Sequence, residues 1–291
     1  MYIKTLIFIN LCMIRAAFAA FICYNKIMKL YVFDFSPGAA VYLIFITCVI
    51  GLCMGSFLNA WAWRIAHNEN IAKGRSHCPE CGHVLGVLDL VPLFSWLFLK
   101  GRCRYCGASI PKRYPLTELI CMCLYLSIVL RFGFTIDTLR FILVGSLLFT
   151  ASLVDIDIME IPDGMLIGMA AASLLRLSEG LMALKDMLIG FLAVSVPLLI
   201  VVLIMEAILK RTAMGGGDIK LIAVLGLHFG ALRTLLLLII ACLAGLIFAA
   251  HYNNKNNKNK VFPFGPSIAI AAWITALIGE PVINMYLSLF I

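Results

Sequence analysis

Apolar residues in this chain gather into long runs, and the polar residues are largely confined to the gaps between them. A helix needs roughly 20 apolar residues to cross hydrocarbon. Runs that approach or exceed that length predict crossings near residues 39–61, 117–131, 138–155, 164–178, 187–209, 217–230, 231–250 and 266–290. The stretch 217–250 crosses twice only if the chain breaks tightly around His228, Gly230 and Arg233, and each half is then short. The expected fold is all-α, a polytopic transmembrane helical bundle of about eight crossings. The N-terminal run from Leu6 to Cys23 is interrupted by Arg15. It reads either as an additional crossing or as a peripheral extension, since an arginine inside the apolar core of a signal peptide argues against cleavage at "AAFAA".

Composition agrees with that pattern. The chain is 63% hydrophobic with mean hydropathy +1.03 and 13% charged residues, whereas a soluble domain carries charge on about a quarter of its residues. The lipid bilayer is therefore its solvent. The net charge of +8 is modest, and the basic residues sort by loop rather than forming a nucleic-acid surface. Arg64, Lys73, Arg75, Lys100, Arg102, Arg104, Lys112 and Arg113 face only Glu69, Glu80 and Asp89 in the same segment. By the positive-inside rule that segment is cytoplasmic.

Orientation then follows by parity. A helix leaving the cytoplasm at about 117 returns by 155, delivering Asp155 and Asp157 to the cytoplasmic face; the next pair delivers Lys210 and Arg211, with "MGGGD" directly after. The lysines of "HYNNKNNKNK" (251–260) also belong inside, which requires 217–250 to cross twice. The chain divides into an N-terminal extension (1–38), a first transmembrane helix (39–63), a cytoplasmic loop domain (64–116) and a transmembrane domain (117–291).

That loop holds the first candidate chemistry. "CPEC" (78–81) and "CRYC" (103–106) are paired C-x-x-C knuckles separated by 21 residues. Thiols stay reduced in the cytoplasm, and four thiolates at this spacing suit tetrahedral Zn²⁺. Cys78, Cys81, Cys103 and Cys106 are the expected ligands of a cytoplasmic zinc-binding loop, with unligated thiols or a redox pair as the alternative. The other seven cysteines lie in apolar segments, where a thiol behaves as a small hydrophobe.

The second chemistry lies in the acids. "SLVDIDIMEIPD" (152–163) closes one apolar run and "GGGD" (215–218) opens another. Each alone is compatible with an ordinary membrane boundary, and Asp218 with an N-cap. Together they bring a pair of carboxylates to one face, the minimum for aspartyl proteolysis, in which two acids share a proton. Asp155 and Asp157 are about 200° apart on a helical wheel, so only one of them faces Asp218.

Five ordered motifs carry a family resemblance: "GSFLNAWAWR" (55–64), the cysteine segment through "RYPLTE" (77–118), "DIDIMEIPD", "GGGDIKL" and "FPFGP" (262–266). Together they resemble the type IV prepilin peptidases, bifunctional leader peptidases and N-methyltransferases of type IV pilus and type II secretion systems. The resemblance implies Asp155 and Asp218 as the catalytic pair, with Asp157 the second choice for the first position. It implies glycines that let a substrate backbone approach Asp218, and a prepilin or pseudopilin substrate cut where its basic leader meets its apolar helix. It implies a bacterial inner-membrane location and methyl transfer from S-adenosylmethionine, for which no glycine-rich nucleotide motif is visible. Lys220 reads as a counter-ion or as a marker of the interface. The rival reading is a zinc-organised membrane scaffold or transporter. A transporter predicts acids at the midplane and repeated halves, and no internal repeat is visible.

Overall fold

The computed structural model describes residues 36–70, 74–179, 181–210, 214–255 and 262–289. The N-terminal run to Cys23, Arg211 and residues 256–260 of the lysine-rich stretch lie outside the described residues. Among these described residues, eight α-helices follow in order: α1 (Pro37–Ala66), α2 (Phe94–Phe98), α3 (Arg113–Phe132), α4 (Ile136–Ile158), α5 (Asp163–Ser173), α6 (Leu181–Leu209), α7 (Gly216–Lys255) and α8 (Gly265–Leu287). Short 3₁₀ turns occupy Val87–Asp89 and Leu174–Glu179. The described residues contain no β-strand, only two isolated bridges in the cysteine loop.

Local chemistry explains several boundaries. The Thr135 hydroxyl accepts the Thr138 amide to start α4, and Met159 in the left-handed conformation ends it. Gly133, at φ 65°, closes α3. Pro266 enters α8 in its first turn, where its missing N–H costs nothing.

Six helices among the described residues are long and apolar enough to cross a membrane: α1, α3, α4, α6, α7 and α8. The run 164–178 departs from the expected count of about eight, while the run 217–250, counted here as one helix, carries its expected break at Gly230. The run 164–178 forms only the 11-residue α5 followed by a 3₁₀ turn. Its irregular end surrounds Arg176, a buried cation that pairs with Asp186 and donates to the Leu227 carbonyl at 3.3 Å. The run 217–250 is one continuous helical element with a single non-helical residue, Gly230, at φ 71° and ψ 176°.

That residue reverses the chain. Thirty-five helical residues in a straight line would reach about 50 Å. Yet Gly217, at one end of α7, lies against Ile161, and Gly245, near the other, lies against Phe264, next to the Gly265 that touches Asp155. Both ends of α7 therefore sit at one end of the bundle and Gly230 at the other. Such a conformation is essentially confined to glycine.

A core of buried residues runs through the bundle, including Leu58 of α1, Cys121 of α3, Val154 of α4, Met169 of α5, Leu221 and Leu225 of α7 and Ile268 of α8. α6 and α7 come closest at Gly190 and Gly226, where an added Cβ on either would overlap the other's carbonyl oxygen, and α1 meets α3 closely too, a Cβ on Gly51 or Gly55 falling 2.7 Å from the Cα of Met122 or Glu118. Small residues four apart give membrane helices this close backbone contact. Leucines and isoleucines such as Ile204, Leu246 and Ile247 point outward. In water such a belt would be an aggregation surface, whereas in a bilayer it is the lipid-facing wall.

Candidate functional site

The carboxylates meet at one end of the bundle. Asp155 lies in the last turn of α4, and its Oδ2 accepts the Gly265 amide at 2.8 Å. That amide is the first of α8, so the acid sits against a helix N-terminus, where free N–H groups and the helix dipole favour an anion. The fit depends on the glycine, because a Cβ at Gly265 would fall 2.7 Å from the same oxygen. Asp218 occupies the first turn of α7, its amide donating to the Gly215 carbonyl at 3.1 Å. It is half-buried, and its carboxyl is near enough to Asp155 for their charges to interact. Gly216 beside it has open space where a side chain would be, whereas a Cβ on Gly215 would touch Asp218 Oδ2 at 3.0 Å.

Asp157 has a different environment. Both of its oxygens are taken by the Arg113 guanidinium, at 2.5 and 2.8 Å. This fork-on-fork arrangement is among the stronger ion-pair geometries. It ties the residue that opens α3, immediately after the cysteine loop, to the end of α4. Lys220 pairs with Asp163 at 2.9 Å across an exposed surface, so its recorded partner is Asp163 rather than Asp218.

The cysteine loop is built from two similar turns. Cys78 donates its amide to the His83 carbonyl and Cys103 to that of Ala108, while Gly82 and Gly107 donate back to the Cys78 and Cys103 carbonyls at 2.8 and 3.0 Å. Both glycines have positive φ, 69° and 74°. The turn therefore needs C-x-x-C-G rather than C-x-x-C alone.

The four sulfurs lie within 4.8 Å of one another, and Cys78 and Cys106 are 3.9 Å apart. Zinc–sulfur bonds of about 2.3 Å in a tetrahedron place sulfurs about 3.8 Å apart, so the cluster has the dimensions to hold a metal ion. Local fields divide the thiols. The Cys106 and Tyr105 amides pull Cys103 down to about 7. The Ala108 amide favours the Cys106 thiolate too, but burial and hydrogen bonds with the other three thiols push it up to about 12. Four anions this close need a cation.

Asp89 braces the loop through the Gly86 amide (3.0 Å), the Tyr105 hydroxyl (3.1 Å) and Arg104 (2.7 Å). Burial raises its pKa, but these partners lower it further, leaving it below the usual carboxylate value.

A model described as the bacterial peptidase A24 N-terminal domain matches residues 49–132, and one described as the type IV leader peptidase family matches residues 142–250. The first covers the C-terminal part of α1, the cysteine loop and α3; the second contains Asp155 and Asp218. The chain belongs to the type IV leader peptidase family. A protein of Myxococcus xanthus named prepilin leader peptidase/N-methyltransferase is 36% identical over 214 residues, 73% of this chain and 63% of that one. Relatives of the same name are 35% identical over 222 residues in Aeromonas salmonicida (75% of this chain, 76% of the relative) and 32% over 254 residues in Bacillus subtilis (85% and 99%). No solved structure matches the chain.

Within this family site, four residues have structural roles that pattern reading left undetected. Gly265 receives Asp155, Arg113 holds Asp157, and Gly51 with Gly55 seats α3. The signals were present in "FPFGP", "KRYP" and "GLCMG", but each needs its partner helix before it acquires a meaning.

Proposed function

We propose that this membrane enzyme is a prepilin leader peptidase/N-methyltransferase in which Asp155 and Asp218 form one aspartyl dyad. The observation that carries the assignment is the convergence of these acids from α4 and α7, with Asp155 accepting the Gly265 amide. A shared proton lets one carboxyl take a proton from the attacking water while the other protonates the scissile carbonyl or the leaving amine. Gly216 leaves the approach to Asp218 open. Asp157 is a weaker choice because both its oxygens are engaged by Arg113.

The substrate is a prepilin or pseudopilin, its basic leader in the cytoplasm and its apolar helix in the bilayer. The dyad and the cysteine loop face the cytoplasm, a side supported by the eight Lys and Arg residues at 64–113. Cys78, Cys81, Cys103 and Cys106 hold one Zn²⁺ in a closed four-thiolate site, which folds the loop without catalysing. The loop domain runs from 64 to 116 and the peptidase domain from 117 to 291. S-adenosylmethionine, when bound, supplies the methyl group for the N-terminal amine that cleavage exposes.

The test is incubation of the purified protein in detergent with candidate prepilins, followed by mass measurement of the pilin N-terminus. Loss of the leader and a gain of one methyl group are expected. An intact leader under conditions where the protein is folded and metal-loaded would exclude the peptidase.

A further inference from the structure

The segment between the two cysteine knuckles carries its apolar side outward. Val87 and Leu88, in the 3₁₀ turn, and Phe94, Leu97 and Phe98 of α2 are 51–82% exposed. Positions 94, 97 and 98 are spaced i, i+3 and i+4, so they share one face of α2. Trp96 faces the other way: its indole N–H donates to the Ile110 carbonyl at 3.1 Å, and its ring lies against Gly101. A loop surrounded by water would bury the phenylalanines. A contiguous exposed patch of this kind marks an interaction surface.

Two further observations say what covers that face. The first is its level in the molecule. The Leu93 amide, at the start of α2, donates to Glu118 Oε2 at 2.6 Å. Glu118 belongs to the second turn of α3, a helix of membrane-spanning length, and lies between the outward-facing Leu116 and Ile120. The exposed face of α2 therefore begins where the lipid-facing wall of α3 begins. The second observation is charge. Lys100, Arg102 and Lys112 are exposed around this segment, and no ion pair is recorded for them among the described residues. Asp89, the acid next to Leu88, is already held by Arg104 at 2.7 Å.

We infer that the segment 87–98 docks on the membrane surface beside α3, its apolar side chains entering the leaflet while Lys100, Arg102 and Lys112 meet anionic phospholipid headgroups. Interfacial segments bind in this way, with apolar residues seated at the boundary of headgroups and acyl chains and basic residues above them. Each basic residue near an anionic surface adds about fivefold to the affinity. The same bases disfavour the proposed prepilin as occupant, because its leader is itself basic. Docking gives the cysteine loop an attachment to the bilayer besides α1 and α3. It holds the loop at the end of the bundle where Arg113 grips Asp157. The proposed orientation enters only in naming the leaflet as cytoplasmic; the contact with lipid stands without it.

The test places the full-length protein in lipid nanodiscs, whose two faces are alike, so the result depends neither on the side the loop takes in a cell nor on peptidase activity. A photoreactive residue is introduced as Phe98→p-benzoylphenylalanine or Val87→p-benzoylphenylalanine, both at exposed positions, and the adducts are identified by mass. In discs of phosphatidylglycerol and phosphatidylethanolamine, lipid adducts are expected at both positions. Lys100→Gln combined with Arg102→Gln should lower the ratio of lipid-adducted to unreacted chain by roughly tenfold or more. Exchange of the anionic lipid for phosphatidylcholine should lower it similarly without the glutamine substitutions and change it little with them. The lipid exchange alters no residue, so it decides the matter even where the glutamine variant folds poorly. Absence of lipid adducts at both positions overturns the inference, as does a yield indifferent to lipid charge. Adducts to added prepilin that replace those to lipid assign the patch to the substrate, and adducts between two copies of the chain assign it to self-association; either overturns the inference. Failure to cleave prepilin in the same discs counts against the proposed function and leaves the lipid contact standing.

Discussion

Asp155 accepts a helix N-terminal amide while Asp157 is clamped by Arg113, so the same substitution at these two positions should have different results. Asp155→Asn and Asp218→Asn keep shape and polarity but cannot exchange the proton, and each should abolish leader removal at matched membrane abundance. Because members of a catalytic unit are strongly non-additive, the double variant should be no worse than either single one. Near-normal cleavage by Asp218→Asn would remove the aspartyl mechanism. Asp157→Asn should reduce the rate without abolishing it, since it loosens a brace rather than removing a proton. Gly265→Ala supplies a second residue-scale test. Its methyl group would sit 2.7 Å from the Asp155 oxygen, and displacing a reacting group by an ångström costs on the order of 10²-fold. A fall of that size in initial cleavage rate is expected, with normal protein yield; an unaffected rate would mean that Asp155 does not work from this position.

At the scale of elements, two contacts carry the arrangement. The α1–α3 seam depends on Gly51 and Gly55, and the obstacle to a larger residue there is backbone, which cannot rotate away. Gly55→Leu should therefore destabilise the protein by about 1–3 kcal/mol, the usual cost of overpacking, read from unfolding in mild detergent. Retention of wild-type stability would show that these helices do not meet there. The turn in α7 depends on Gly230, whose conformation other residues adopt at a cost of about 1–3 kcal/mol. A side chain at that position would also meet the Asp186 carboxylate at 2.6 Å. Gly230→Ala should lower stability by at least that amount in the same experiment, while leaving the metal content of the cysteine loop unchanged because the loop is elsewhere in the fold.

For the whole molecule, the predictions concern the metal and the membrane. Metal analysis should find about one zinc per chain, and replacement of Cys78 and Cys103 together by serine should release it. Metal retained in full by that variant would rule out the four-thiolate site. Glu69→Cys should resist a membrane-impermeant maleimide in intact cells and react after lysis; labelling from outside would reverse the orientation of the loop. Much of this was legible in the chain itself. Long apolar runs separated by polar gaps announce helices in lipid, because no other open structure satisfies its backbone there. The doubled C-x-x-C announces a four-sulfur cluster, since two-residue spacing brings thiols together within one turn.

Other properties depended on contacts between distant segments. Hydropathy treats 164–178 as a run like the others, but the pairing of Arg176 with Asp186 and its bond to Leu227 accompany a helix that stops at Ser173. Periodicity requires that Asp155 and Asp157 face different ways without saying which one meets Asp218. That choice rests on a glycine 110 residues away donating to one acid and an arginine 44 residues away holding the other. What the sequence determined by itself was local or additive: the apolar length of each run, the balance of charge in each loop and the spacing of ligands within a turn. What only the tertiary structure decided was which acid is received by α8, where the run 164–178 stops being helical and which residues of distant helices pack together. These depend on distances between segments remote in the chain, and such distances exist only once the helices have packed.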